Sequence, residues 1–164
     1  MVGRQLQSVV DRKTTISWFL KTRQRTANMF DLLTADVYYE KPISLRHPVV
    51  FYEGHIPAFS VNTLIKRGLG RPGVDDGLER LFARGIDPDV QAVDVDVVLN
   101  QWPSRERVTD YVAAADQAIL DALESAEIEK NGHPVLHQGQ AVFTLIEHEE
   151  LHQETLSYMW HRLP

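Results

Sequence analysis

Apolar residues recur at three- and four-residue steps along most of this chain, the pattern of helices that bury one face. Between Gln5 and Leu33 there is neither glycine nor proline, and Val9, Ile16, Phe19, Leu20, Ala27, Phe30 and Leu33 predict a long amphipathic first helix. Thr34 to Leu45 carries Pro42 and reads as a connector. A second helix is predicted from about Pro48 to Arg67. It opens on a proline whose missing N–H costs nothing there and closes before Gly68 and Gly70. Its inward stripe is Phe51, His55, Phe59 or Ala58, Asn62 and Ile65. Pro57 should bend this helix, because its ring crowds the carbonyl of Glu53 and removes one backbone bond.

From Gly68 to Trp102 the pattern is broken by glycine and proline. A short helix is expected around Asp76 to Arg84, stopped by Gly85. Val93-Asp94-Val95-Asp96-Val97 has the period of a strand but no partner strand, so it reads as an extended segment laid over the helices. Asp94 and Asp96 are expected to be solvated carboxylates rather than calcium ligands. A connection this long often shapes or covers a pocket. A third helix starts at Pro103-Ser104, with Ser104 as N-cap and Val108, Tyr111 or Val112, Ala115, Ile119 and Leu123 inward. Asn131-Gly132-His133-Pro134 is a turn, and a fourth helix follows from about Gly139. The expected fold is all-α, an antiparallel four-helix bundle with one long connection, formed by residues 1–164 as a single domain. Metal sites in such bundles are built from side chains on facing helices.

The chemistry concentrates in the last helix. His148 and His152 lie one turn apart on the stripe Leu145, His148, His152, Thr155 and Met159, which faces the core. Two buried imidazoles could each be hydrogen-bonded to a neighbour. For an inward pair, a shared metal ion is the better reading. His55, inward on the second helix, is the third candidate ligand. Three neutral imidazoles can bind one face of an octahedral ion, or hold tetrahedral zinc with a water. Spacing does not choose between them. His47, His133, His137 and His161 lie near element ends, where solvated or capping roles are expected.

His148-Glu149-Glu150-Leu151-His152 also matches the zinc-protease pattern of two ligands and a glutamate base. Twelve residues follow His152, too few for a distant downstream glutamate ligand, and Thr155 and Tyr158 stand where the other protease class needs glycine and histidine. The protease reading is set aside.

Composition narrows the field further. The apolar share of 43% and charged share of 24% are those of a soluble globular protein. There is no cysteine, which excludes disulfides, thiolate zinc sites and a cysteine nucleophile. Neither a signal peptide nor a membrane-spanning run is visible, so the cytoplasm is the expected compartment. A formal net charge of −6 argues against nucleic acid or an anionic membrane as partner. Lys21, Arg23 and Arg25 read as a solvated helix face. Tyr111 and Tyr158 lean inward on their stripes and should pack in the core.

Arg46-His47-Pro48-Val49-Val50-Phe51-Tyr52-Glu53-Gly54-His55, then Phe82-Ala83-Arg84-Gly85-Ile86-Asp87, Trp102-Pro103-Ser104 and His148-Glu149-Glu150-Leu151-His152-Gln153-Glu154-Thr155, carry a family resemblance. In order and combination they resemble the N-terminal DinB-like domain of the sulfoxide synthases of ergothioneine and ovothiol biosynthesis. The Arg-His-Pro stretch looks more like the ovothiol branch. The resemblance implies a DinB-like four-helix domain in which His55, His148 and His152 hold a mononuclear non-haem ferrous iron, for which zinc or nickel can substitute in crystals. It also implies small-molecule partners, a cysteine-type thiol and a histidine-derived acceptor, joined with dioxygen to a sulfoxide. The family's second domain resembles formylglycine-generating enzyme and supplies a catalytic tyrosine. It is expected to lie outside this chain, so no catalytic residue is assigned here and the chain is expected to be incomplete by itself. Leu151 departs from the glutamine that ergothioneine synthases often carry before the second metal histidine. Two other functions stay open, a stand-alone DinB-like metal-dependent thiol S-transferase and a non-catalytic metal-binding or stress-response module.

Overall fold

A computed structural model describes residues 9–83 and 102–164. Within them every regular element is helical, as the periodicity predicts. α1 spans Arg12–Asp31, α2 Val49–Ser60 with a wider-wound continuation over Val61–Gly68, α3 Asp76–Phe82, α4 Arg105–Ser125 and α5 Gln140–Trp160. α1 packs on α5 and α4, while α2 packs on α3, α4 and α5, so the four long helices share one core. Gly85, the Val93–Val97 segment, Asp94 and Asp96 lie outside the described residues, as does Gln5. Among the described residues, no helix is long and apolar enough to cross a membrane.

The buried face of α1 keeps only part of the expected apolar stripe, Phe19 and Phe30 buried with Ile16 and Leu33 packed beside them. Thr15, Phe19, Thr22, Thr26 and Phe30 are buried, whereas Val9 and Leu20 are exposed. Thr22 and Thr26 face polar side chains of α5. The Gln153 amide donates to the Thr22 carbonyl and to Thr26 Oγ1, both at 2.9 Å, and Thr26 Oγ1 donates to Glu149. Of the expected solvated basic face, Lys21 and Arg25 are exposed, but Arg23 is corrected to a largely buried residue. Arg23 lies between α1, α4 and α5, 2.9 Å from Asp116 and 3.1 Å from Glu149, and Arg25 donates to Gln153. Burial of a carboxylate on α5 requires a cation opposite it, and Arg23 is that cation.

α2 is buried on almost every side, from Val49 and Val50 through Phe51, Tyr52, Gly54, His55 and Ile56 to Ala58. A helix apolar all round belongs to a core rather than a surface. Phe59 and Asn62, expected inward, are only half-buried. Pro57 sits within α2, and four residues beyond it the wider winding begins at Val61. The wide spiral closes with Leu69 N–H on the Leu64 carbonyl at 2.9 Å.

Capping follows the sequence closely elsewhere. Asp75 accepts from the Gly77 and Leu78 amides to open α3, and Ser104 accepts from the Arg107 amide to open α4. Glu79, fully buried, accepts from the Val74 and Asp75 amides and from Lys66, which ties α3 to the end of α2. α5 is entered through Gly139 at φ 69°, where a Cβ would meet Val10 at 2.1 Å.

Candidate metal centre

The three histidines singled out from the sequence come together. His55 Nε2 lies 3.1 Å from His148 Nε2, and His152 Nε2 lies 3.1 Å from the same atom. One ligand nitrogen from each ring lies within 4.8 Å of the other two, the one group of histidine or carboxylate ligands so placed among the described residues. Two nitrogens each about 2.1 Å from one ion, and at about a right angle to each other, are about 3 Å apart. The observed spacing is that of a ligand set around a shared ion.

Hydrogen bonding defines the donor set. His55 Nδ1 is 2.7 Å from the Phe82 carbonyl, which can only accept, so Nδ1 carries the proton and Nε2 its lone pair. His148 Nδ1 and His152 Nδ1 are buried without a hydrogen-bond partner. One N–H on His148 Nε2 could serve only one of its two neighbours, which leaves unshared lone pairs facing each other. A metal ion could take up those lone pairs, and three neutral imidazoles suit iron, zinc, nickel or copper alike.

Burial keeps the rings neutral. Desolvation lowers His55 to about 4, with smaller contributions from His152 and His47. Desolvation, then the charges of His152 and His55, takes His148 to about 2. His152 is lowered to about 4 by desolvation and by the charge of Arg46. Each ring therefore offers a lone pair at neutral pH without losing a proton first.

Aromatic rings fix the orientation of each imidazole. Phe59 stacks on His148 at 3.6 Å and 12°, Phe51 stacks on His55 at 4.8 Å and 14°, and Tyr52 meets His152 edge-on at 5.5 Å. His47 stacks on the other side of Phe51 at 3.9 Å, so it supports the site through Phe51. Gly54 makes room for α3. Its missing Cβ would lie 2.2 Å from the Phe82 ring, and the Phe82 carbonyl is the acceptor for His55. These supports escaped sequence reasoning, although a glycine inside a helix beside a candidate ligand is a signal of close approach.

The other candidates fall elsewhere. His133 Nδ1 accepts from the Val135 and Leu136 amides and His137 Nδ1 from the Gly132 amide, the capping roles expected near a turn. Glu149, the base of the protease reading, points to Arg23 and Thr26 on α1 and not toward the ring cluster. Tyr111 is buried as expected, but Tyr158 is corrected to a surface residue at 40% exposure. It lies on the flank of α5 that also exposes Leu151.

The sequence profile of the DinB superfamily matches residues 19–156, a span that includes all three histidines. The chain belongs to the DinB superfamily. Among curated relatives it is similar to "Ergothioneine biosynthesis protein 1" of Neurospora crassa, at 33% identity over 87% of this chain and 16% of that protein. It is similar also to "Ergothioneine biosynthesis protein 1" of Schizosaccharomyces pombe, at 28% identity over 79% of this chain and 17% of that protein. The chain thus spans about a sixth of the length of the curated relatives it matches.

Proposed function

We propose that this chain is the ferrous-iron-binding part of an enzyme that uses dioxygen to join a cysteine-type thiol to a histidine-derived acceptor, as in ergothioneine and ovothiol biosynthesis. The observation that carries the reading is the convergence of His55, His148 and His152 through Nε2, with 3.1 Å between neighbours. The names of the relatives support the pathway, and the DinB superfamily match supports the scaffold. Held there, iron would supply open coordination positions and the one-electron chemistry that dioxygen requires.

The chain's own residues do the holding. The Phe82 carbonyl turns His55 so that Nε2 faces the other rings, while Phe59 and Tyr52 limit rotation of His148 and His152. Low polarity around the rings keeps protons off the ligand nitrogens. Leu45, Leu151 and Tyr158 are exposed at 94%, 60% and 40%, and the last two share a flank of α5, an apolar surface suited to a further domain that would complete the substrate pocket. The cytoplasm, with its reduced thiols, is the compartment that fits.

Anaerobic purification followed by metal analysis tests the reading. One iron per chain is expected for the wild type and close to none for His148→Ala, with the helical circular-dichroism signal retained. His133→Ala should bind as the wild type does. Metal binding that survives loss of all three ring ligands would end the reading. The iron-loaded chain, given a cysteine-type thiol, dioxygen and histidine or its trimethylated form, should yield no sulfoxide by mass spectrometry. Turnover would show that this chain is a complete enzyme.

A further inference from the structure

We infer that Arg46, seated against Tyr158, is the positioning residue that binds the carboxylate of a substrate whose imidazole or thiol approaches the three-histidine centre. The inference rests on the function proposed above and adds a chemical requirement to it, a carboxylate at a set distance from the donor atom.

Three observations place Arg46 for this task. Its guanidinium carbon lies 5.8 Å from the centre of the Tyr158 ring. Tyr158 stands six residues beyond His152 on α5, about 9 Å along the helix axis, on the open flank of the ligand stripe. Tyr52, whose ring touches His152 edge-on at 5.5 Å, feels the charges of both Arg46 and Tyr158. Arg46 is therefore the cation beside the mouth of the site, within reach of an amino-acid-sized ligand.

Its backbone is also fixed. The Arg46 amide donates to the Ile43 carbonyl at 2.9 Å, which closes a turn. The next residue, His47, stacks on Phe51, which stacks on His55. The turn that carries Arg46 is thus tied to the ligand set through two ring stacks. This gives the Arg46-His47-Pro48 stretch a physical role beyond opening α2.

The guanidinium itself is uncommitted. Arg23 pairs with Glu149 and Asp116, Arg105 caps the Phe30 and Leu33 carbonyls, and Arg12 caps the Leu123 and Ala126 carbonyls. Arg46 is in no ion pair or side-chain hydrogen bond among the described residues; its guanidinium lies against the Tyr158 ring and its charge is felt at Tyr52. A planar fork stacked on an aromatic face keeps its edge free for a bidentate carboxylate. The charge of Arg46 is felt at His152, which it helps to hold neutral. In a chain of formal net charge −6, a free cation beside a metal site selects for anions locally.

The test uses the full chain loaded anaerobically with cobalt(II), a coloured stand-in, after metal stoichiometry has been measured. Binding of 3-(imidazol-4-yl)propionate and of 4-methylimidazole is followed through the cobalt d–d bands. The propionate should bind about tenfold more tightly, the scale of a charge-assisted pair partly open to water, and the preference should shrink as salt rises. Arg46→Met should erase the preference while leaving metal stoichiometry and 4-methylimidazole affinity unchanged. Arg46→Lys should keep part of it, and the remote Lys21→Met should keep all of it. A purely structural Arg46 would lower affinity for both ligands together. Failure to bind cobalt would remove the metal centre and this subsite with it. Cobalt binding with no preference in the wild type, or with a preference that survives Arg46→Met, would overturn the subsite alone; so would absence of binding by both imidazoles.

Discussion

Gly54 and Phe82 are in contact where only a glycine fits, since a Cβ at position 54 would lie 2.2–2.4 Å from three atoms of the Phe82 ring. The same Phe82 accepts the His55 hydrogen bond through its carbonyl, so the contact sets both the seat of α3 and the aim of a metal ligand. Gly54→Ala should therefore cost about 1–3 kcal/mol by overpacking. It should also weaken metal binding, because a displaced Phe82 releases His55 Nδ1. Denaturant unfolding of the metal-free protein and a competitive metal titration would read the two effects. Unchanged metal affinity in a destabilised variant would separate Phe82 packing from His55 orientation.

Acid should destabilise the metal-free protein through the histidines. Their folded pKa values are depressed, to about 4 for His55 and His152 and about 2 for His148, chiefly by desolvation. Unfolded histidine titrates near 6.5, so between about 6.5 and 4 the unfolded chain binds more protons and stability falls as pH falls. Above about 7 the contribution is flat. Glu149 and Asp116, raised by burial, act with the opposite sign. The difference between wild type and His148→Gln isolates one histidine. Urea unfolding at pH 7.5, 6 and 4.5 should show the variant losing less stability than the wild type.

Removing Arg23 should be among the most damaging single changes. Its side chain is 10% exposed and pairs with Glu149, which is wholly buried, and with Asp116. Burial opposes its charge, yet the two carboxylates raise its pKa. Arg23→Met leaves two carboxylates without a countercharge, a loss of about 3–5 kcal/mol. Adding Glu149→Gln should recover part of that loss, and a double-mutant cycle by chemical denaturation would measure the coupling. Strictly additive effects would mean the pair is not coupled.

Phe59→Leu should loosen His148 without removing a ligand. The ring stacks on the imidazole at 3.6 Å, and the shorter side chain opens a gap on one face of it. A stability loss of about 1 kcal/mol is expected from the reduced packing, with metal stoichiometry intact and dissociation faster. Stopped-flow chelation of the cobalt form gives the rate. An unchanged rate would mean that α5 alone holds His148.

Helix boundaries and the three-histidine group were readable because they rest on local signals. Ser104 before α4 is a cap with a physical reason, and His148 with His152 needs nothing beyond the helical repeat. Tyr158 shows where such reading stops. Its stripe pointed inward, but that flank of α5 is left uncovered by the described residues, and no local pattern reports what lies opposite a helix face. Arg23 was misread for the same reason, since its carboxylate partners sit on two other helices. The face of α1 interleaves Thr15, Thr22 and Thr26 with Phe19 and Phe30, and threonines do not register in an apolar period. The supports of His55 were hidden too, because Phe82 reaches it from a separate helix across a break in sequence.

That threonine face bears on how α5 is placed. Leucine-rich surfaces can slide past one another by a turn with modest loss, because apolar contact has no preferred direction. Between α1 and α5 the contacts are instead directional. Gln153 reaches the Thr22 carbonyl and Thr26, and Arg23 and Thr26 reach Glu149. These bonds alternate along α5 with the two imidazoles it presents on its neighbouring face, Glu149 next to His148 and Gln153 next to His152. The interface works as an index mark. A shift of one residue along the axis would break every bond in it, so the two ring nitrogens are held at a fixed height opposite His55.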